Sequence, residues 1–343
     1  MGAFTSAGVR AHAPACWFPL AHAEAVAAHP GLDLVAVADV DAAAAARAAA
    51  AHGAPRWFTD PIAMLEATRP ELLCLATRTP GRAALIEAAV AAGVAALHVE
   101  KPLCSSVAEL RALEALFARA DVHVTWGAIR RLMAPYRMAL ARAERGGIGP
   151  LLEATVHMGA GALFWAHPHS FDLLLAAAGD RELLDVAAVL DGVEGEALRI
   201  GSDPAVVAVT LRFSGGLVGR ITRQPGCDWV LAGAAGALAV EADGHRLRCL
   251  STPEGAGYPE WSALEVAADG PGGTLAALVQ LTGCLDGDAA ALAANARWKR
   301  DLLMAQRLLF ATVESDRQGS RPVAPDDVPD DMVVEAITAG RPA

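Results

Sequence analysis

The first 126 residues alternate short apolar runs with alanine-rich stretches of helical spacing. The runs are continuously apolar, which is typical of strands that are covered on both faces of a sheet. Strands that alternate with helices through right-handed crossovers form a parallel, doubly wound sheet. The pattern therefore predicts an N-terminal α/β domain over residues 1–126, with strands at Gly2–Thr5, Leu34–Ala38, Leu72–Ala76, Ala95–Val99 and Val122–Trp126.

The helices between these strands have recognisable ends. A short polar side chain before a helix accepts hydrogen bonds from its free N–H groups, and proline fits the first turn. We therefore expect helices to begin after Asp41, after Asp60 and after Ser106, where Glu109 completes a capping box. The first of them should end at Gly53.

The pattern changes after Trp126. An amphipathic helix over about residues 133–145 precedes apolar segments at hairpin spacing, and glycine-containing turns at 214–216 and 242–244 suit tight connections. We predict a C-terminal α+β domain over residues 127–343 with a mostly antiparallel open sheet, a helical stretch over about 275–316, and a Pro- and Asp-rich tail. The strands should lie at Leu151–His157, Val206–Phe213, Leu217–Thr222, Ala237–Val240 and Arg246–Leu250.

Bulk properties narrow the function classes. A net charge of −11 with scattered acidic residues repels a phosphate backbone, so nucleic-acid binding is not expected. No window approaches the roughly 18 uninterrupted apolar residues of a membrane span, and the first residues lack the features of an export signal. The six cysteines lie far apart, so neither disulfides nor a zinc cluster is expected. We expect a cytoplasmic protein that binds no membrane.

The charged pair Glu100-Lys101, followed by Pro102, comes directly after an apolar run. Open α/β sheets bind ligands at the carboxyl ends of their strands. A partly desolvated lysine beside a carboxylate at such a place is able to give a proton to oxygen or nitrogen as a hydride reaches the adjacent carbon. The alternative is a salt bridge in a loop, but the order of the surrounding elements favours a catalytic Lys101.

A nucleotide site is predicted near the N-terminus. Within the segment 6–11, Ser6 replaces the first glycine of the motif G-x-G-x-x-G/A, and Gly8 is retained. Asp39 ends the second predicted strand, where a carboxylate accepts hydrogen bonds from a ribose and repels a 2′-phosphate. Ser6, Gly8, Arg10 and Asp39 thus predict a Rossmann site for NAD, with NADP as the alternative. The inserted segment 14–19 is either a hydrophobic plug or a substrate lid.

These motifs resemble the Gfo/Idh/MocA family of NAD(P)-dependent oxidoreductases. The resemblance is strongest over residues 34–103, in Val-Ala-Val-Ala-Asp39, Leu75-Ala76-Thr77 and His98-Val99-Glu100-Lys101-Pro102-Leu103. Weaker similarity at 147–150 and 321–323 extends it over almost the whole chain. The resemblance implies a two-domain enzyme, a homodimer or homotetramer, in which Lys101 contacts cofactor and substrate. Thr77, Arg78 and Glu100 would lie near the cofactor.

The resemblance also implies a proton-transferring histidine in the segment 165–172. His169 and Asp172 match the family's Asp-x-Gly-x-His-x-x-Asp pattern, whereas Trp165 replaces its first Asp and His167 replaces its Gly. An indole cannot relay a proton, so Trp165 either stacks on a ring-shaped substrate or packs in the core. His167 would replace part of the lost proton chemistry. Asp172 either contacts substrate or only fixes its helix.

Three arginines have two interpretations each. Arg78 and Arg82 follow the third strand and either direct charge toward a cofactor phosphate or an acidic substrate, or lie exposed in a loop. Arg131, with Pro135 after it, loosely resembles the family's Arg-aromatic-x-Pro entry to the second domain, whose arginine faces the pocket. The alternative for Arg131 is a surface role.

The function that these observations favour is hydride transfer between nicotinamide and a carbonyl or alcohol carbon of a sugar, cyclitol or similar polar ring. Lys101 would donate or accept the proton with the assistance of His169, and Trp165, His167, Asp172 and Arg131 would face the small-molecule substrate. No metal is expected. Two alternatives stay open: reduction of an imine or a non-sugar ketone, and a nucleotide-binding sensor or regulator without turnover.

Overall fold

A computed structural model describes residues 2–193, 198–267, 270–335 and 337. The helices are α1 (Ala7–His12), α2 (His22–Ala28), α3 (Ala42–His52), α4 (Pro61–Thr68), α5 (Arg82–Ala91), α6 (Val107–Phe117), α7 (Ala134–Glu144), α8 (Leu163–Ala166), α9 (Pro168–Ala178), α10 (Gly273–Leu285) and α11 (Ala289–Arg317). The strands are β1 (Val37–Ala38), β2 (Trp57–Phe58), β3 (Leu72–Leu75), β4 (Ala96–Val99), β5 (His123–Trp126), β6 (Leu151–His157), β7 (Leu183–Asp191), β8 (Arg199–Ile200), β9 (Ala205–Phe213), β10 (Val218–Thr222), β11 (Asp228–Gly233), β12 (Gly236–Glu241), β13 (Arg246–Ser251), β14 (Glu260–Leu264) and β15 (Val333–Val334).

The chain divides into two compact units that are not contiguous in sequence. Unit 1 comprises Met1–Cys104, Glu109–Ile129 and Pro271–Leu302, and unit 2 comprises Ser105–Ala108, Arg130–Gly270 and Leu303–Ala343. The predicted C-terminal domain, 127–343, differs from unit 2 because residues 271–302 belong to unit 1. The physical reason is the apolar face of α10, whose Leu278 and Leu281 are buried in one cluster with Ala25, Val26 and Ala96.

Unit 1 carries the parallel strands. β3, β4 and β5 form a parallel sheet in that order, in which Leu75 pairs with Val99 and Val99 pairs with Trp126. β1 and β2 form a separate parallel pair. All four residues of β4 are buried, as expected of a strand that is covered on both faces. The α/β class with a parallel sheet is confirmed.

The N-terminal segment departs from the prediction, because Gly2–Thr5 forms no strand. Its main chain bonds elsewhere: the carbonyl of Gly2 accepts from the N–H of Ala23 at 3.1 Å, and the N–H of Thr5 donates to Glu24 at 3.3 Å. The Thr5 hydroxyl also donates to Glu24, at 2.8 Å. These bonds replace a strand ladder, and Ser6 then caps α1, so most of the predicted glycine turn lies in a short helix.

Two predicted helix starts in unit 1 are confirmed. The carboxylate of Asp41 accepts from the N–H groups of Ala43 and Ala44 at the start of α3, and α3 ends at Gly53, whose φ of 70° lies in the left-handed region. Asp60 caps α4 through the N–H of Ile62, with Pro61 in the first turn. Local capping chemistry therefore sets these boundaries.

Two side chains of α11 bond to the main chain at and before β5. The amide of Asn295 accepts from the N–H of Val124 at 3.3 Å and donates to the carbonyl of the same residue at 2.9 Å. The Nζ of Lys299 donates to the carbonyls of Val122 and Arg119, at 2.8 and 3.0 Å. Both main-chain groups of Val124 are thus satisfied inside the protein, as buried backbone requires.

Unit 2 is built on an eight-stranded sheet with the order β14-β13-β12-β11-β6-β10-β9-β7. Only the β6–β10 pairing is parallel, so the predicted, mostly antiparallel sheet is confirmed. β6 has the predicted bounds, and β9, β10, β12 and β13 agree to within one residue. The strands β7, β11 and β14 were not predicted from the pattern.

Helix α9 lies in the interior of unit 2. Every residue of α9 is buried except His169. A helix that is apolar almost all round packs in an interior, and Leu174 of α9 reaches the sheet at Gly219, where an added Cβ would lie 3.4 Å from its side chain. His169 is therefore the one position at which α9 is open to other groups.

Among the described residues, no single helix is both long enough and apolar enough to span a membrane. Helices α10 and α11 satisfy that criterion only when they are taken together, and they are bent by 119° at the break between them.

The inserted segment 14–19 is held by the first turn of α10. The N–H of Thr274 donates to the carbonyl of Pro19 at 3.0 Å, and its hydroxyl donates to the carbonyl of Leu20 at 2.6 Å. Trp17 and Phe18 are half-buried. These main-chain bonds favour a packed plug over a mobile lid.

Gly273 should not tolerate a side chain. Its φ is 54°, and an added Cβ would lie 2.5 Å from the carbonyl oxygen of Pro19 and also collide with that of Trp17. We expect Gly273→Ala to lower the free energy of unfolding by ~2–4 kcal/mol, because overpacking and left-handed strain add. Urea titration measures this change. Gly257→Ala, where an added Cβ meets nothing within 4 Å, is the matched control; an equal effect in both variants would contradict the close approach at Gly273.

Candidate functional site

The structure places Glu100 and Lys101 directly after β4. The N–H of Glu100 donates to the carbonyl of Leu75 at 2.8 Å, so residue 100 continues the β3–β4 ladder. Lys101 is half-buried, and its peptide bond to Pro102 is cis. The pair therefore lies at the carboxyl end of a central parallel strand, where such sheets bind ligands.

Arg82 is buried at the start of α5 and organises this strand end. It is 3% exposed. Its Nη1 donates to the carbonyls of Glu100, at 2.7 Å, and Pro102, and its Nη2 donates to the carbonyl of Thr77. Burial lowers the pKa of the guanidinium to about 10, which leaves it charged at pH 7. The exposed-loop interpretation of Arg82 is therefore wrong: the buried guanidinium joins the ends of β3 and β4 on either side of Lys101.

The carboxylate of Glu100 faces a buried histidine that the sequence analysis did not single out. The Nε2 of His22 lies 3.4 Å from Oε1 of Glu100. Burial lowers the pKa of His22. Burial by itself raises the pKa of Glu100, but the contact with His22 and the other polar and positive groups near the carboxylate outweigh burial and hold that pKa well below its usual range. At pH 7 the pair is a neutral imidazole beside an ionised carboxylate. The one signal in the sequence was that His22 and Glu24 interrupt the otherwise apolar stretch 20–28.

The remaining candidates of unit 1 lie at the surface. Asp39 follows β1, is exposed, and accepts from the N–H of Asp41 at 2.9 Å. Thr77 and Arg78 follow β3 and are exposed. The Oγ of Ser6 accepts from the N–H of Val9, and Arg10 forms an ion pair with Glu24.

Trp165 lies in the short helix α8 of unit 2. The carboxylate of Asp203 accepts from the N–H groups of Phe164 and Trp165, at 2.8 and 2.9 Å, and so holds the start of this helix. Asp203 was not identified from the sequence, because it is distant along the chain. The Trp165 side chain is 44% exposed, so the core alternative for this residue is wrong and its ring has an open surface.

His167 is buried, and its ring is engaged within the chain. Its Nδ1 lies 3.0 Å from the Oγ of Ser170, and its Nε2 lies 3.2 Å from the carbonyl oxygen of Gly161. Burial lowers its pKa to about 4, so the imidazole is neutral at pH 7. Both ring nitrogens thus bond within the chain, which suits a structural link and not a contact with substrate.

Arg131 and Asp172 form a buried ion pair in unit 2. The Nε of Arg131 lies 2.8 Å from Oδ2 of Asp172, and its Nη2 donates to the main-chain carbonyl of Asp172 at 2.7 Å. The surface alternative for Arg131 is therefore wrong. His169 lies one helical turn before Asp172 on α9, so the pair fixes the helix that carries the half-buried imidazole.

A second buried pair lies beside the first along the chain. Arg130 donates from Nε and Nη2 to the carboxylate of Asp243, at 2.6 and 2.8 Å, and the hydroxyl of Tyr136 donates to it at 3.2 Å. The turn at 242–244 was predicted from the sequence, but this role of Asp243 was not. The bidentate pair ties the β12–β13 turn to the segment that precedes α7.

Comparison with known proteins places part of this chain in a family. Residues 16–128 match the oxidoreductase family with an NAD-binding Rossmann fold, GFO_IDH_MocA. Over these residues the chain is similar to the Gfo/Idh/MocA oxidoreductase family. The match includes Asp39, Glu100 and Lys101, but it begins after Ser6, Gly8 and Arg10.

Curated relatives of this family are similar to parts of the chain. It is 37% identical over 92 residues to D-apiose dehydrogenase of Paraburkholderia graminis, which covers 27% of this chain and 24% of that protein. It is 36% identical over 129 residues to inositol 2-dehydrogenase 3 of Saccharopolyspora erythraea, which covers 37% and 38% of the two proteins. The chain thus matches well under half the length of these relatives.

The fold is similar to that of solved oxidoreductases. Levoglucosan dehydrogenase, in its complex with NADH and levoglucosan, superposes with a TM-score of 0.67 at 19% identity, over 89% of this chain and 96% of that one. At this identity the comparison shows the fold. The Rossmann unit together with a large, mostly antiparallel sheet is the architecture that the two proteins share.

Two residues of unit 1 are suited to bind the adenosine-ribose part of NAD. The exposed Asp39 carboxylate follows a parallel strand, as ribose recognition requires. An added Cβ at Gly8 would meet nothing within 4 Å, so its backbone is open to close approach. The first N–H groups of α2 are used within the chain, however: those of Ala21 and Ala23 donate to Thr5 and Gly2. The fit is therefore to Asp39 and Gly8, not to the start of α2.

In the described part of the chain, no group of three or more His, Cys, Asp or Glu side chains is arranged to hold a metal ion.

The buried His167 should make stability depend on pH. Its pKa of about 4 in the folded state lies below the ordinary histidine value of 6.5, so the unfolded state takes up a proton first as the pH falls. Stability from this group is present above pH 6.5 and is lost between about pH 6.5 and 4, by ~2 kcal/mol at pH 5. Urea titrations at pH 7.5 and 5 should show a smaller loss in His167→Asn than in the parent protein. The same substitution at the exposed His12 is the control, and parallel curves for parent and His167→Asn would contradict the assignment.

Proposed function

We propose that the protein is an NAD-dependent oxidoreductase that transfers a hydride between nicotinamide and a carbonyl or alcohol carbon of a sugar or cyclitol. The observation that carries the proposal is the Glu100-Lys101 exit of β4, which lies inside the segment that matches an NAD-binding oxidoreductase family. The names of the relatives, D-apiose dehydrogenase and inositol 2-dehydrogenase, support a polyhydroxylated substrate. Assembly into a homodimer or homotetramer stays a prediction.

Lys101 is the proposed proton donor or acceptor. The chain has only two lysines among its 28 lysines and arginines. Arginine stays protonated at any pH near neutrality, whereas the amine of a lysine is able to gain and lose a proton. Lys299, the other lysine, bonds to main-chain carbonyls. Lysine at the strand end, in a chain that otherwise uses arginine as its cation, supports proton transfer there.

His169 is the proposed assistant to Lys101. It is the one residue of the core helix α9 that is not buried, and the Arg131–Asp172 pair holds that helix from within. A half-buried imidazole on a rigid element is suited to give or take a proton near pH 7. Asp172 and Arg131 would act on substrate through His169 rather than by contact.

Trp165 is the proposed substrate platform. Its exposed ring is able to stack on the apolar face of a sugar or cyclitol ring, a contact worth on the order of 0.5–1.5 kcal/mol beyond burial. The main chain of α8 is fixed by Asp203, so the ring is carried by an ordered helix. An exposed indole in place of a relay carboxylate also keeps the imine or non-sugar ketone alternative open.

When bound, the dinucleotide supplies or accepts the hydride. Asp39 would accept hydrogen bonds from the adenosine ribose. Arg78 and Thr77 lie exposed after β3 and would contact the dinucleotide. In the oxidation direction the amine of Lys101 takes the proton of the reacting hydroxyl; in the reduction direction its ammonium returns that proton.

Asp39 should determine the choice between the two dinucleotides. The parent protein should bind NADH more tightly than NADPH, because the carboxylate accepts from the ribose diol and repels a 2′-phosphate. Asp39→Asn should reduce this preference by ~10-fold, the equivalent of about 1.4 kcal/mol. Fluorescence titration with both dinucleotides measures it. Asp41→Asn, which changes the same charge two residues away, is the control; equal affinities in the parent would remove the proposed role.

Lys101 should be essential to turnover. Lys101→Met should lower kcat by ~10²–10⁴-fold with NADH affinity largely retained, because a proton-transferring group is lost. Lys101→Arg should stay inactive, since its charge is kept but the proton is not released. NADH absorbance with a panel of aldoses and cyclitols gives the rates. Lys299→Met is the matched control and should change stability rather than kcat. Normal turnover of Lys101→Met would exclude the proposed mechanism.

A further inference from the structure

The main chain on both sides of Lys101 depends on one guanidinium. The carbonyls of Glu100 and Pro102 both accept from Arg82, and the N–H of Glu100 is bonded to Leu75. These bonds fix the peptide planes before and after Lys101. Any group that drew Arg82 away from the carbonyls would release Lys101 from this geometry.

The carboxylate of Glu100 is able to draw Arg82 away from these carbonyls. It belongs to the same residue as one of the carbonyls, and its charge acts on Arg82. A bidentate carboxylate–guanidinium pair is stronger than hydrogen bonds to neutral carbonyls, so an unrestrained carboxylate would compete for Arg82. In the structure the described bonds of Arg82 go to carbonyl oxygens instead. Something holds the carboxylate elsewhere.

His22 provides that restraint. Its Nε2 lies 3.4 Å from the Glu100 carboxylate. Its ring is buried and packs edge-on against the ring of His98, with 4.7 Å between their centroids. His98 in turn lies 2.9 Å, Nδ1 to Oγ1, from Thr125 of β5. The imidazole is thus fixed from behind by a second buried ring.

Space for the carboxylate is made at Gly127. A Cβ on Gly127 would lie 2.5 Å from Oε2 of Glu100, and the N–H of Gly127 is bonded to the carbonyl of Val99 at 2.8 Å. The carboxylate therefore lies between the His22 ring of α2 and a residue without a side chain that follows β5.

We propose that His22 is a positioning residue for Lys101: it holds the Glu100 carboxylate so that Arg82 stays on the carbonyls that flank the lysine. The inference rests on the proposed catalytic role of Lys101. It assigns no contact between His22 and substrate or cofactor, and it adds to the site a residue on an element that the proposed mechanism does not use.

The two lysines of the chain make the test direct. Reductive methylation with ¹³C-formaldehyde labels Lys101, Lys299 and the N-terminal amine, and Lys299→Arg assigns the lysine signals in an NMR spectrum. Lys299 is the internal reference, because it is bonded to carbonyls at 119 and 122. The label reports the surroundings of Lys101 without turnover.

His22→Leu removes the donor at similar volume, and His22→Gln restores an N–H near the position of Nε2. We expect His22→Leu to move the Lys101 signal but not the Lys299 signal, and to lower kcat by ~10–100-fold with NADH affinity within ~3-fold, as misplacement of a catalytic group does. His22→Gln should restore both readouts. His29→Leu, which removes an imidazole after the other end of α2, is the matched control and should change neither.

Gly127→Ala tests the same restraint from the opposite side, should His22→Leu fail to fold. Its methyl group would displace the carboxylate while His22 stays, and the Lys101 signal should move again. An unmoved Lys101 signal in both His22→Leu and Gly127→Ala overturns the inference, and so does a His22→Gln variant that is as impaired as His22→Leu. If Lys101→Met turned over normally, the proposed function would fall, while the NMR measurement would still decide whether His22 positions Lys101. If Lys101→Met were inactive and His22→Leu unchanged, only the positioning role would fall.

Discussion

The buried guanidinium of Arg82 is the interaction on which the carboxyl end of the parallel sheet depends. Beyond the last residue of a strand, carbonyl groups lose their ladder partners, and each one left buried without a donor costs about 1–3 kcal/mol. Arg82 supplies donors to three of them at once. The cost of burying its charge is offset by these bonds and by the nearby Glu100 carboxylate. The main chain on both sides of Lys101 is held by that arrangement.

Charged arginines and neutral histidines are two kinds of buried polar side chain in this protein. Arginines with carboxylate or carbonyl partners fasten loops and turns, as at Arg130 and Arg131. Histidines with lowered pKa values, such as His22 and His167, provide hydrogen-bonding atoms without a charge to neutralise. A neutral imidazole costs less to bury than an ion, which suits positions enclosed by helix and sheet. The one half-buried histidine of α9 stands apart from this group.

Much of the fold could be predicted because its signals are local. Asp41 and Asp60 cap helices through hydrogen bonds to N–H groups within the next three residues, so they mark helix starts in the sequence. The alternation of apolar and polar residues in β6 and its neighbouring strands predicts where those strands begin and end. The strand expected at Gly2–Thr5 failed because Glu24, distant along the chain, takes its main-chain bonds. Residues 271–302 were assigned to the wrong part for the same reason: an apolar helix does not record in its sequence which sheet it will cover.

The candidate site residues also separate into those with local sequence signals and those that depend on distant partners. Glu100, Lys101 and Asp39 stand at strand ends, and the pattern of apolar runs marks those ends. His22, Asp203 and Asp243 act through partners 38 to 113 residues away, and Arg82 bonds across the ends of two strands whose packing the sequence does not state. Roles of this kind become visible only when the partners are seen together. The positions of these residues at strand ends were therefore predictable, and the side chains that support them were not.

The amide of Asn295 covers main-chain groups at an edge of the parallel sheet. β5 is the outer strand of the three-stranded parallel sheet, and an outer strand with open N–H and C=O groups is a template on which another chain is able to add. Asn295 occupies both groups of the central residue Val124. A single side chain thereby gives this border of the sheet the same protection against aggregation that other proteins obtain from a bulge or a proline.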